Sequence, residues 1–168
     1  MMRLLSSLLF LILASCAGYQ LDGAKPAILK DVQTIHVPMF RNDTLHPRAE
    51  ALATSAATEA IVEDGTYRIA SPDQADAILE GTLHQIQYSQ LRSARLDTLR
   101  PEELQNAVTL NWILRDARDP TTVLARGSST GSSRFFVDSN LQTSRNNALP
   151  DALQRASDAM ISRIANGF

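Results

Sequence analysis

Four kinds of residue in this chain could do chemistry: one cysteine, three histidines, neighbouring carboxylates and a glycine-serine run. Cys16 is the sole thiol in 168 residues. It can act as a nucleophile, a soft metal ligand or a modification site, but no disulfide can form within the chain. His36, His46 and His84 would serve a metal or a proton relay only beside a second ligand or an acid. None has such a neighbour at metal-ligand spacing, so all three read as ordinary polar or capping side chains. Asp73 with Asp76, and Glu102 with Glu103, are the carboxylate pairs that general acid–base catalysis would need. Both pairs sit in turn-like, solvated sequence. Gly127-Ser128-Ser129-Thr130-Gly131-Ser132-Ser133 has the composition of a phosphate loop but lacks its lysine and its helix. No dinucleotide glycine pattern occurs. The expectation is no enzyme, no catalytic residue, no cofactor and no metal site.

Cys16 is different because of what precedes it. A single positive residue, Arg3, is followed by an apolar run over residues 4–13 and then by the small residues Ala14 and Ser15. That order is the pattern of a secretory signal peptide. The run is too short to span a bilayer, which takes roughly 20 apolar residues. Leu13-Ala14-Ser15-Cys16 resembles a bacterial lipobox. The resemblance implies cleavage between Ser15 and Cys16, a diacylglyceryl group on the Cys16 thiol, and a further acyl chain, such as palmitate, on the new amino group. Each buried methylene contributes about 0.8 kcal/mol, so several chains on one cysteine make a stable membrane anchor. The expected organisation is a cleaved signal peptide over 1–15, a lipidated lead-in over 16–31, and one domain over 32–168.

Removal of residues 1–15 takes away one charge, Arg3, and moves the net charge from −2 to −3 over the remaining 153 residues. That balance argues against a nucleic-acid partner. An apolar fraction of 44% and a charged fraction of 20% are those of a globular domain.

The elements follow from periodicity. Residues 17–31 read as an extended lead-in. Ile35, Val37 and Met39 alternate with polar neighbours over 32–40, a strand whose Pro38 belongs at an edge or near its end. Pro47 suits the first position of a helix. Ala49, Leu52, Ala53, Ala56, Ala60 and Ile61 give that helix a narrow small-residue stripe, suited to close packing on a sheet, and Gly65 stops it. Residues 66–70 are a short strand, 71–73 a turn and 75–88 a long strand. In that long strand Leu79 and Leu83 share a face while Ile86 and Tyr88 fall on the other. Either both faces are partly covered, or a bulge near His84 shifts the register. Residues 89–106 read as strand end and loop, holding Arg92, Arg95 and Arg100. Val108, Leu110, Trp112 and Leu114 alternate cleanly. A turn over 116–120 leads to a returning strand that continues through the weak serine-glycine run toward 137. Pro150 reads as the start of the last helix, with a stripe of Leu149, Leu153, Ala156, Met160 and Ile164 before Gly167. The expected fold is an α+β two-layer sandwich, a mixed and mostly antiparallel sheet of four to five strands with two helices on one face.

Cys16-Ala17-Gly18-Tyr19-Gln20-Leu21 resembles the Cys-Gly-Tyr/Phe-x-Leu start of the lipopolysaccharide-assembly lipoprotein family, LptE, with Ala17 as an insertion. The likeness continues through Ile35-His36-Val37-Pro38-Met39-Phe40, Asn42, the first helix and Ala75-Asp76-Ala77-Ile78-Leu79-Glu80-Gly81. It implies a non-catalytic plug, one per barrel, inside the large outer-membrane β-barrel LptD, anchored by lipid on the periplasmic side of a Gram-negative outer membrane. Such a plug helps the barrel assemble and helps deliver lipopolysaccharide. A barrel lumen is polar, so a plug needs a polar outer surface. The polar composition of residues 128–147 fits that role and fits a solvated loop equally. Alanine after the cysteine agrees with sorting to the outer membrane. Lipopolysaccharide is polyanionic, and arginine grips phosphate in a bidentate way. Arg92, Arg95, Arg100 and Arg134 are the candidates on charge and position. The alternative reading is an envelope lipoprotein that regulates a peptidoglycan synthase or another secretion complex, since the Ala-Asp-x-x-Leu-x-Gly block occurs there too. The lead-in of about 15 residues reaches only about 50 Å at full extension, which disfavours a partner across the periplasm.

Overall fold

The computed structural model describes residues 25–92, 103–137 and 140–167. The chain order is β1 (Thr34–His36), β2 (Arg41–Asn42), α1 (Ala49–Asp64), β3 (Arg68–Ile69), β4 (Ala77–Arg92), β5 (Glu103–Asp116), β6 (Val123–Phe136) and α2 (Leu141–Asn166). The sheet runs β3-β1-β4-β5-β6, and β2 joins the same side of β4 farther along. β1 lies parallel to β3 and β4, and β2 parallel to β4; β4, β5 and β6 form an antiparallel meander. Both helices cover one face, the mixed two-layer sandwich expected, with six strands where four to five were read.

The meander is long because its pattern is long. β5 buries Leu104, Asn106, Val108, Leu110, Trp112 and Leu114 in strict alternation with more exposed residues. β4 buries Ala77, Leu79, Gly81 and Leu83. The ladder to β5 then shifts between Leu83 and Gln85. That bulge at His84 settles the parity change: beyond it Ile86 and Tyr88 turn to the helix side. β5 begins at Glu103, so residues 103–106, read as loop, are strand. Residues 27–29, read as extended, form a 3-10 turn that buries Leu29.

β6 is continuous through the serine-glycine run, and the glycines have neighbours that explain them. A Cβ on Gly131 would overlap the Ala152 carbonyl oxygen and the Ala156 amide nitrogen. The bare backbone there lets α2 descend onto the sheet. Gly127 in the same way leaves room for the Trp112 ring, whose Nε1 donates to Ser129 Oγ at 3.2 Å.

Two helix readings change. α1 begins at Ala49, after Pro47 and a left-handed Arg48 (φ 62°), and its alanine stripe lies chiefly against α2 rather than the sheet. Ala49, Ala53, Ala57 and Ala60 are buried, and side chains this small let packed helices approach closely. Leu52, placed in the stripe, is 38% exposed. α2 begins at Leu141, and Pro150 lies inside it. The true start is Asn140, whose Oδ1 accepts from the Thr143 amide at 3.1 Å. Pro150 is exposed, and its missing N–H costs one helical bond without stopping the helix. The polar residues 128–136 and 141–147 are therefore strand and helix rather than a solvated loop. Gly65 (φ 73°) and Gly167 (φ 83°) end the helices as expected.

Candidate functional site

The helices occupy one face of the sheet and leave the other open. After the bulge the open-face positions of β4 are Gln85, Gln87 and Ser89, which pair with Thr109, Ala107 and Gln105 of β5. Those in turn pair with Thr130, Ser132 and Arg134 of β6. Before the bulge the rows are Thr82–Asn111–Ser128 and Glu80–Ile113–Arg126. Almost every position is a hydroxyl, an amide or a charge.

One concavity on this face, about 830 Å³, is lined by Pro38, Met39, Arg41, Thr82, Ile113 and Arg126 among others. Its rim carries three guanidiniums. β2 places Arg41 beside Thr82, and β6 places Arg126 beside Ile113. Arg115 Nε donates to Glu80 Oε2 at 2.9 Å and its Nη1 to the Pro120 carbonyl at 3.2 Å. Arg41 reaches only a long 3.8 Å pairing with Asp43 and is 80% exposed, and Arg126 has no ion pair among the described residues. Met39 forms an apolar wall and is 63% exposed, with its sulfur accepting from Thr54 Oγ1. None of these arginines was a candidate from sequence. They lie far apart in the chain, and only strand register joins them.

The arginines expected from sequence fare differently. Arg92 closes β4, in register with Glu103, and so belongs to a strand and not to a loop. Arg134 is exposed on the open face at the same end of the sheet, and lines a cleft of about 410 Å³ with Phe135, Phe136 and Asp151. Arg95 and Arg100, like Ser15 and Cys16, lie outside the described residues.

On the helix side of that same end the core turns polar. Tyr88, Asn106 and Ser133 are aligned across β4, β5 and β6. Ser133 Oγ bonds Asn106 Oδ1 at 2.6 Å and lies 2.8 Å from the Ala148 carbonyl. The Arg145 guanidinium stacks 4.6 Å above the Tyr88 ring, and Phe135 meets that ring edge-on at 6.3 Å. Burial pushes the Tyr88 phenol above its ordinary pKa, and Arg145 pulls it the other way. Tyr88 Oη, Asn106 Nδ2 and Arg145 Nε have no hydrogen-bond partner among the described residues.

His36, His46 and Asp76 have structural posts, while Glu102 lies outside the described residues. His36 Nδ1 lies 3.3 Å from the Ala70 carbonyl, and His46 Nε2 lies 3.2 Å from Asn146 Oδ1. Asp76 is a clasp: its Oδ2 accepts from the Gln33 amide at 3.0 Å, the Thr34 amide at 3.0 Å and Thr34 Oγ1 at 2.9 Å. The Gln33 amide and the Thr34 hydroxyl and amide, with Arg118 nearby, hold its carboxyl below the usual range against a smaller opposing effect of burial. Asn42 bonds Thr44, the His46 carbonyl and Glu50, tying β2 to the start of α1. Among the described residues no three His, Cys, Asp or Glu side chains gather as a metal site, and no helix is long and apolar enough to cross a membrane.

Comparison with known proteins bears on the whole of this fold. The model of the family LptE, lipopolysaccharide-assembly, matches residues 32–164. No curated protein matches in sequence. Similar solved structures include hypothetical protein CT253 from Chlamydia trachomatis, 8% identical with a TM-score of 0.54 over 79% of this chain and 95% of that one. A minor lipoprotein from Acinetobacter baumannii is 7% identical, with a TM-score of 0.51 over 79% and 92%. Protein XCC0632 from Xanthomonas campestris is 13% identical, with a TM-score of 0.50 over 77% and 81%. Likeness at these identities is likeness of fold.

Proposed function

The chain belongs to the LptE family of lipopolysaccharide assembly, and from that membership we propose that it is the non-catalytic plug subunit of an LptD-like outer-membrane β-barrel. One copy sits in one barrel, held to the periplasmic leaflet by lipid on Cys16 after cleavage behind Ser15. Its part in lipopolysaccharide delivery is to hold the barrel open in shape and to offer a polar surface to a polyanionic cargo. The observation that carries this reading is the open face of the sheet. A face of hydroxyls, amides and arginines, covered by no helix or strand among the described residues, matches a polar lumen wall and would be wasted against lipid. A free sheet face of an antiparallel meander is stable in water too. The polarity therefore supports the plug through its extent and its hydrogen-bonding character.

Arg92 and Arg134, brought by register to one end of the sheet, together with Arg95 and Arg100 in the segment between β4 and β5, are the proposed contacts for lipopolysaccharide phosphates. The test is extraction of native membranes in mild detergent, followed by purification through a tag on this chain. Recovery of a large β-barrel in equal amount is the expected result. Recovery of a peptidoglycan synthase with no barrel would overturn the plug.

A further inference from the structure

We infer that the groove ringed by Arg41, Arg115 and Arg126 docks an acidic, extended segment of the partner barrel. The inference rests on the plug reading and adds to it a contact surface and the chemistry of what meets it. Its basis is the spacing of charge. Arg41 and Arg126 lie on β2 and β6, three strand spacings apart, which is about 15 Å at about 4.8 Å per strand. A single phosphate is too small to engage both from one place, and Glu80, drawn to Arg115, stands between them. An extended chain repeats a side chain on one face every 6.6–6.8 Å or so, and carboxylates four residues apart are about 13 Å from each other. Two acidic side chains on such a segment fit the Arg41 and Arg126 guanidiniums. Ile113, on the strand between β4 and β6, and Met39, on the Arg41 side, line the same groove and give the intervening apolar side chains a surface to pack on. The floor, Thr82 and Asn111, offers hydrogen bonds to the segment's backbone. Arg126 and Arg41 lack strong partners of their own, so their charge is available to another chain.

The experiment combines charge reversal with crosslinking in the full-length lipoprotein. In Arg41→Glu/Arg126→Glu, barrel recovered per tagged chain falls about tenfold or more, since like charges set together across an interface cost several kcal/mol. Arg155→Glu, on α2, leaves recovery at the wild-type level. Melting temperatures of both variants stay near wild type, because the three arginines are on the surface. With p-benzoylphenylalanine in place of Met39, the crosslinked barrel peptide, identified by mass spectrometry, carries two acidic residues in an extended stretch. Wild-type recovery by the double variant overturns the docking groove and leaves the plug standing. Absence of the barrel from the wild-type preparation overturns both. A crosslinked peptide without acidic residues overturns the groove. So does loss of co-purifying lipopolysaccharide with barrel recovery intact, which would assign the arginines to a lipid headgroup.

Discussion

The Asp76 carboxylate accepts from two backbone amides and a hydroxyl, while its own amide donates back to Thr34. The effect is to pin β1 against the start of β4 where only two register pairs join them. Charged acceptors make the stronger hydrogen bonds, so Asp76→Asn lowers stability at pH 7 by about 1–2 kcal/mol in urea unfolding. The sign with pH follows from the lowered pKa. A depressed carboxylate contributes its stability in full above the unfolded value, about 3.9, and loses it as pH falls through the folded value. The gap between wild type and Asp76→Asn therefore narrows from about pH 4 downward. A gap that persists unchanged at pH 2 would show that the charge is not what holds the clasp. Asp76 was considered from sequence as half of a catalytic pair. Its actual work was hidden because its partners lie more than 40 residues away. The glycines of β6 were opaque for the same reason. Only the position of α2 shows why Gly131 carries no side chain.

Elements were legible in proportion to how evenly their two faces differ. β5 buries one parity and leaves the other half-buried or exposed from Glu103 to Leu114, so its pattern is nearly self-evident. β4 changes parity at the bulge, which left two readings open until the ladder resolved them. From sequence α2 starts at Pro150, about two thirds of its length, because proline is the usual mark of a helix start. The segment before it buries little besides Ala148 and Leu149. That first third of the helix is held by its Asn140 cap, by Arg145 on Tyr88 and by side-chain bonds to its polar surface. Pro150→Ala returns a backbone donor toward Asn146 and removes a steric conflict. It raises stability by about 1–3 kcal/mol and slows amide exchange over residues 141–149. Unchanged exchange in that segment, with unchanged stability, would mean that the proline does not limit it.

At the scale of the molecule the two faces divide the labour. The helix face closes the core, with Trp112, Leu110, Leu149, Leu153 and Met160 all within 1% exposure. The other face carries polar groups, which the proposed plug role uses against a partner. Attachment is a separate property, proposed here for Cys16. Cys16→Ala accordingly leaves the melting temperature of the domain unchanged, abolishes acylation seen by mass spectrometry, and moves the protein from the detergent phase to the aqueous phase when the barrel is absent. Full partition of that variant into detergent would refute the anchor. The fold class was readable because it depends on local pattern. The arginine groove was not, because it is a product of strand order, which no local pattern records.

β6 closes the sheet with fourteen residues and no strand on its far side among the described residues. It contains no proline and no lysine, and its carbonyl at Ser128 is blunted by Arg163 from α2. Backbone groups left bare along such a rim will recruit any extended chain that arrives first, another copy included. For this molecule the hazard is therefore one of timing and concentration. The longer it waits unengaged, and the more copies wait together, the greater its exposure to rim-to-rim stacking. Under the proposed plug role, a supply of the subunit matched to that of the barrel is the simplest protection the fold allows.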